Sequence, residues 1–216
     1  NYNFMINFLK INKVDTVIHC AAYKHVNILE NNLQQAIQNN TIGTYNLCKA
    51  SLENNADFLL ISTDKAVETT SILGYSKRAA ENVTRFLLAK NPKKIVNIVR
   101  FGNVIGSSGS AIPNFLNQIN NNLPITITHK KASRYFMSIN QACYLVLKTF
   151  DLKPRNKIFL LEMGKPVSIY NLVLKLINLK KKILPDYRPL LKISGLKKGE
   201  KLNEILYSGN KKNKTK

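Results

Sequence analysis

The chain has no tryptophan and few acids: 12 Asp and Glu stand against 33 Lys and Arg, for a formal charge of +21. Cysteine occurs three times, at Cys20, Cys48 and Cys143, with no CxxC pair. That spacing excludes a disulfide framework and a clustered-cysteine zinc site, and it fits a reducing compartment. All three have apolar neighbours and are expected as small core residues. No apolar run reaches the length needed to span a membrane, and nothing at the start reads as a signal peptide. His19, His25 and His129 show no metal-ligand spacing. The nine glycines form no G-x-G-x-x-G motif.

What is present first raises a question of partners. A strongly basic chain suits nucleic acid or an anionic surface. Here the basic residues are mostly lysine, in a chain crowded with Asn and Ile. They are scattered except at 180–182 and in the tail at 211–216, which reads as compositional background. There is no zinc-finger spacing and no RNP-type aromatic motif, so no nucleic-acid partner is expected; an anionic substrate suits the charge equally. With 44% hydrophobic residues among 216, the chain is expected to fold around a core. It opens on Asn1, inside what reads as a helix over 1–12, and ends on "GNKKNKTK" with no closing element. It therefore reads as a fragment of a longer chain.

Apolar runs alternate with amphipathic segments. Strands are predicted at 14–22, 56–63, 94–104, 124–128 and 157–163. Helices are predicted at 33–55, 72–90, 113–122 and 168–182, the last opened by Ser168 as N-cap. Pro92 marks the end of the helix over 72–90. Such alternation with apolar strands implies a parallel sheet covered on both faces, with sites at the carboxyl ends of its strands. Those ends read "CAAYKH", "STDK" and "RFGNV". Three strands in succession run into small or polar residues, and that coincidence is the main residue-level sign of a site. On residues alone, Asp64 can cap the following turn beside a solvated Lys65, or the two can form a proton-transfer pair. From about residue 107 the pattern loosens, as for a smaller lobe over a pocket.

The ordered stretches "HCAAYKHVNILENN" (19–32), "NNTIGTYNL" (39–47), "LLISTDKAV" (59–67), "GYSKRAAE" (74–81), "VRFGNVIGSSGSAIPNF" (99–115), "ITHKKASRYFMSINQA" (127–142), "FLLEMGKPVSIYNL" (159–172) and "GLKKGEKLNEIL" (195–206) resemble the extended short-chain dehydrogenase/reductases. Within them the chain is most similar to the CapD-like polysaccharide-biosynthesis enzymes, nucleotide-sugar 4,6-dehydratases. The resemblance implies a partial Rossmann-type doubly wound α/β sheet over 1–106, lacking its first strands. A smaller lobe, mainly substrate-binding, follows over 107–216, with a possible return to the sheet. The missing glycine motif implies that the fragment binds dinucleotide poorly and is inactive alone, and that the strand at 14–20 is an open edge.

The resemblance also implies roles. NAD(P), NAD in preference, removes hydride at sugar C4; water leaves across C5–C6; hydride returns to C6. Asp64 is the implied acid at the C6 hydroxyl and Lys65 the implied base at C5, which needs a neutral carboxyl beside a neutral amine. Burial favours both forms, whereas attraction between the charged forms opposes both, so desolvation by bound cofactor and sugar is expected to prevail. Enzymes of this class place a Tyr four residues before a Lys. Here Leu73 stands four before Lys77, and Tyr75 lies about 200° round the helix. Lys77 is implied to hold the cofactor ribose. Thr63, Asp64 or a water on Lys77 are left as acceptors of the O4 proton.

Ala21, Ala22, Tyr23, Asn40, Ser62, Arg100, Phe101 and Gly102 are implied around the cofactor. Lys24, His25, Asn103, Arg134, Lys198 and Glu200 are implied around a UDP-sugar, with UDP-N-acetylglucosamine the expected substrate. No role falls to His19 or His129. A homo-oligomer is expected for the intact protein, in the cytoplasm or as the cytoplasmic domain of a longer membrane-anchored chain. The alternatives are a UDP-sugar 4-epimerase and, from another class, a non-catalytic remnant or basic binding module.

Overall fold

The computed structural model describes residues 1–107, 109–152 and 156–206; the basic tail at 211–216 lies outside them. Helix α1 (Tyr2–Ile11) leads into strand β1 (Thr16–His19) and two short helical turns, α2 (Val26–Leu29) and α3 (Leu33–Ala36). A π turn over Ile37–Ile42 runs into α4 (Gly43–Glu53), so the single helix expected over 33–55 carries a widened turn. Strand β2 (Asp57–Thr63) passes through a 3₁₀ turn, Asp64–Ala66, to α5 (Ile72–Lys90). Then come β3 (Val96–Phe101), β4 (Asn103–Val104), α6 (Ala111–Asn120), β5 (Ile125–Ile127), β6 (Ser133–Arg134) and β7 (Phe136–Met137). The chain continues through α7 (Ile139–Lys148), β8 (Ile158–Leu160), β9 (Val167–Ser168), α8 (Ile169–Ile183) and β10 (Leu191–Ile193).

The main sheet has the order β1-β2-β3-β8, with every pair parallel. Its alternation explains its layers. Phe58 and Leu60 point to one face, where Cys48 and Leu52 of α4 and Ala80 and Leu87 of α5 cover them. Leu59 and Val99 point to the other, under Ala142 and Val146 of α7. Coverage of both faces is why β2 and β3 read as unbroken apolar runs. A separate core joins α6, α8 and β5 through Phe115, Ile119, Ile125, Val173 and Ile177.

Three expectations change. Strand β1 is shorter than 14–22 and only His19 of it is buried, because it is an edge paired with β2 alone among the described residues. Cys20 and Cys143 are exposed and only Cys48 is core: the first lies just past the edge strand and the second on the outer side of α7. Helix α7 was hidden by the polar start of "SINQACYLVLK", yet Ser138 caps it by accepting from Gln141 N, the S-x-x-Q pattern of a helix start. Ser168 caps α8 in the same way, as its sequence suggested. Among the described residues, no helix is long and apolar enough to cross a membrane, and no His, Cys, Asp and Glu cluster could hold a metal.

Candidate active site

Parallel strands leave their last backbone groups free at the carboxyl end, and three of these ends meet here. After β2, Thr63 keeps an extended backbone and its hydroxyl accepts from Lys65 N, opening the 3₁₀ turn. That turn drives the Asp64 side chain inward, where it is only 1% exposed. Asp64 Oδ1 accepts from Thr63 Oγ1 at 2.8 Å and from Lys65 Nζ at 3.0 Å. Asp64 Oδ2 is buried with no partner. It faces Gly102, where an added Cβ would lie 2.9 Å from Oδ2 and 3.2 Å from both Met163 Sδ and Tyr135 O. The "RFGNV" glycine is therefore required by close approach of a carboxylate and a neighbouring strand. Asn103, in β4, donates its N–H to Tyr135 O at 2.9 Å.

Lys65 has a second carboxylate, Glu204 Oε1, at 3.2 Å. Burial pulls the Lys65 ammonium toward neutrality, but Asp64 and Glu204 outweigh it and the net shift is upward. Among the protein's own groups, a second acid that nothing near Lys65 in sequence announces tips the balance toward the ammonium. Glu204 continues the chain of charge to Arg134, whose Nε lies 3.8 Å from Glu204 Oε1, and Arg134 NH2 donates to Glu200 Oε1 at 3.2 Å. Arg134 also donates to Ser133 O, Leu202 O and Lys201 O. Its fork is filled by its own chain, so it is not free to clamp a diphosphate. Glu200 is likewise engaged, by Thr128 Oγ1 and Lys197 N as well as Arg134. These two residues fix the 195–204 segment against the body, because buried polar groups must find partners.

On α5, Lys77 is buried and donates to Ile61 O at 2.6 Å. Burial pushes its ammonium down to about 8, against the opposing pull of Glu81 and Cys20. Leu73 packs with Leu29 and Ala36 in a small apolar cluster, and Tyr75 is exposed, as their helical spacing requires. Ser62 and Arg100 sit opposite each other in the β2–β3 register. Glu81 reaches both: its Oε1 accepts from Ser62 Oγ at 2.6 Å and Arg100 Nε at 2.8 Å, and its Oε2 accepts from Arg100 NH2 at 2.5 Å. Arg100 is therefore held by Glu81, a residue the sequence reading did not select. Its signal was an acid four residues after Lys77 on the buried face of α5.

The loop after β1 is fixed by Asn40. Its side chain accepts from Tyr23 N at 2.8 Å and donates to Tyr23 O at 3.0 Å and Ser76 Oγ at 3.1 Å. The π turn puts this amide inside, and His19 Nε2 meets Thr44 Oγ1 below it at 2.9 Å. Burial holds His19 neutral, its imidazole pushed down to about 4. Ala21 is exposed and Ala22 half-buried in this loop. The exposed His25 ring lies under Gly109, whose φ of +64° favours glycine and whose added Cβ would meet the ring at 2.4 Å. Lys24 and Lys198 are exposed. Thr63, Asp64, Lys65, Glu204 and Arg134 thus form one connected group, and Ser62, Glu81 and Arg100 a second, with Lys77 held apart on Ile61 O.

The family described as "Polysaccharide biosynthesis protein" matches residues 1–216. The capsular polysaccharide biosynthesis protein CapD of Staphylococcus aureus is 45% identical over 195 residues, covering 90% of this chain and 32% of that protein. A UDP-N-acetylglucosamine 4,6-dehydratase (inverting) of Campylobacter jejuni is 33% identical, over 90% of this chain and 57% of its own length. A UDP-glucose 4-epimerase of Rickettsia bellii is 34% identical, over 96% and 60%. The chain thus spans about a third of CapD and under two thirds of the other two. Among solved structures, Pen from Bacillus thuringiensis superposes with a TM-score of 0.88 at 33% identity, covering 96% of this chain and 64% of that one. DesIV, a dTDP-glucose 4,6-dehydratase from Streptomyces venezuelae with NAD bound, shares the fold at a TM-score of 0.80 and 18% identity, covering 95% and 68%.

Proposed function

The chain belongs to the CapD-like polysaccharide-biosynthesis family of the extended short-chain dehydrogenase/reductases, and from that premise we propose that it forms part of an NAD-dependent nucleotide-sugar 4,6-dehydratase acting on UDP-N-acetylglucosamine. One observation carries the reading: Asp64 and Lys65 lie 3.0 Å apart at a strand end, with Asp64 Oδ2 buried and unpartnered. Elimination across C5–C6 needs an acid and a base side by side; epimerisation at C4 needs a base at O4 and no such pair.

The residues fit the ribose and nicotinamide side of the cofactor: Lys77 at the strand ends, the small side chains of Ala21 and Ala22, and Tyr23 held by Asn40. Bound NAD would accept a hydride from C4 and return it to C6. No glycine motif in these 216 residues serves the pyrophosphate, and that half is not assigned to this chain. The proton balance closes within three residues when Lys65 starts as the neutral amine. Thr63 gives its hydroxyl proton to Asp64 and takes the proton leaving O4. Asp64 then protonates the departing C6 hydroxyl as water. Lys65 takes the C5 proton and gives it back when the C5–C6 bond is reduced. Leu73 has no part in this, and the Thr63–Asp64 hydrogen bond at 2.8 Å does the work of the missing tyrosine.

The reading includes a dinucleotide-binding lobe over 1–106 and a mainly substrate-binding lobe over 107–216, to which β8 is the exception that joins the main sheet. It also includes assembly with further copies in the cytoplasm. The test is Lys65→Met in the intact protein, supplied with NAD and UDP-N-acetylglucosamine. Loss of a proton-transfer group predicts a fall of about 10²–10⁴ in turnover, read in a variant whose circular dichroism shows that it is folded. Turnover within a few-fold of wild type removes Lys65 as the base.

A further inference from the structure

Lys65 can serve as a base only after it gives up a proton, and its surroundings decide when. Two carboxylates touch Nζ, Asp64 at 3.0 Å and Glu204 at 3.2 Å. They differ in origin. Asp64 adjoins Lys65 in sequence and follows it anywhere, whereas Glu204 arrives from the far end of the described chain. The segment that brings it has no regular secondary structure beyond one bridge, Ser133 to Asn203. It is nevertheless fastened firmly: Ser133 N donates to Leu202 O at 3.1 Å, and Arg134 donates to Leu202 O and Lys201 O. Gly199 lies so close to Glu30 and Ser71 that a Cβ there would meet Glu30 Oε1 at 2.6 Å. Glu30 in turn accepts from Ile72 N at 2.7 Å, at the start of α5. The whole path from α2 through Gly199 to Arg134 sets the place of one carboxylate. That carboxylate is 7% exposed, its Oε2 has no partner, and its Oε1 reaches Lys65.

We propose that Glu204 is a positioning residue for Lys65, which pins Nζ beside Asp64 and governs when the amine is free to take a proton; this rests on the dehydratase reading of Lys65. A buried carboxylate with an empty oxygen is costly unless a cation stays near it. Glu204 therefore retains the ammonium form, and the upward shift of Lys65 has this same cause together with Asp64. The other charges on elements packed here are Arg134 on β6, Glu200 and Lys201 on the 195–206 segment, Glu68 beyond the turn, and Arg78 on α5. Arg134 pairs with Glu204 and Glu200; Lys201 reaches Glu68 O; Arg78 donates to Ala66 O. Among the described residues, Asp64 and Glu204 alone pair with Lys65.

The test reads Lys65 without turnover. Acetic anhydride labels only neutral amines, so peptide mass spectrometry of the intact protein across pH gives a labelling midpoint for each lysine. Removing an opposite charge at this distance lowers a lysine midpoint by about one to three pH units. Glu204→Gln is expected to lower the Lys65 midpoint by that amount, while the exposed Lys24 and Lys198 keep theirs. Glu204→Asp, with its charge one methylene further back, is expected to give an intermediate midpoint, and it decides the matter if the glutamine variant does not hold its fold. An unchanged Lys65 midpoint in these variants overturns the proposal, as does faster labelling at an unchanged midpoint, which reports access alone. A lowered midpoint in a protein that makes no dehydrated sugar supports the role of Glu204 and overturns the dehydratase reading instead.

Discussion

Two buried ionic groups stand within a few residues of each other at the carboxyl ends of β2 and β3, and they are built in opposite ways. In the first, Glu81 receives Ser62 and both arms of Arg100, and neither of its oxygens is left over. In the second, Lys65 lies between Asp64 and Glu204, Arg134 stands 3.8 Å from Glu204, and each acid keeps a buried oxygen without a partner. A satisfied network rigidifies; an unsatisfied one stores the capacity to take or give a proton. The difference separates a structural brace from a reaction site although both are charged and both are largely buried.

The largest blow to that contrast comes from the brace. Glu81→Ala leaves Arg100 buried without its partner, which is expected to cost about 3–5 kcal/mol. Urea denaturation monitored by circular dichroism reads the loss as a lower midpoint. Lys65→Met should remove turnover directly; it also lowers the denaturation midpoint, because two buried carboxylates lose their ammonium. If Glu81→Ala were as stable as wild type, the two groups would not differ in the way argued.

A smaller effect sharpens the boundary between the groups, at Lys77. Its ammonium is pushed down to about 8 by burial, against an ordinary value of 10.5. Between those values the unfolded chain holds a proton that the folded chain has lost. Its contribution to stability therefore rises with pH from about 8 to 10.5, and is at its least favourable below 8, where both states are charged. Lys77→Met, compared with wild type by denaturation at pH 7.5, 8.5 and 9.5, should flatten that rise. A variant whose stability follows the same slope as wild type would show that Lys77 is not desolvated.

Much of the frame was legible in the sequence because it rests on local pattern. The apolar runs placed β2 and β3, Ser168 marked the start of α8, and Pro92 followed the end of α5. The "STDK" turn and the displacement of Tyr75 needed only strand ends and helical spacing. What escaped was long-range. Nothing near Lys65 announces that Glu204 will meet it, and nothing near Arg134 shows that its own chain will fill its fork. Cys20 and Cys143 failed as core residues for a related reason: apolar neighbours in sequence do not reveal an edge strand or the outer side of a helix. The upward shift of Lys65 likewise depends on a charge contributed by a distant segment.

The most direct test of the central claim, that Asp64 and Lys65 form an elimination pair, is the mass of the product made by the intact protein from UDP-N-acetylglucosamine in deuterium oxide. Lys65 exchanges with solvent before it returns a proton to C5. The account predicts a product that has lost one water and carries solvent deuterium at C5, with neither change in Lys65→Met. A sugar that keeps its water and gains no carbon-bound deuterium, as in C4 epimerisation, would contradict it.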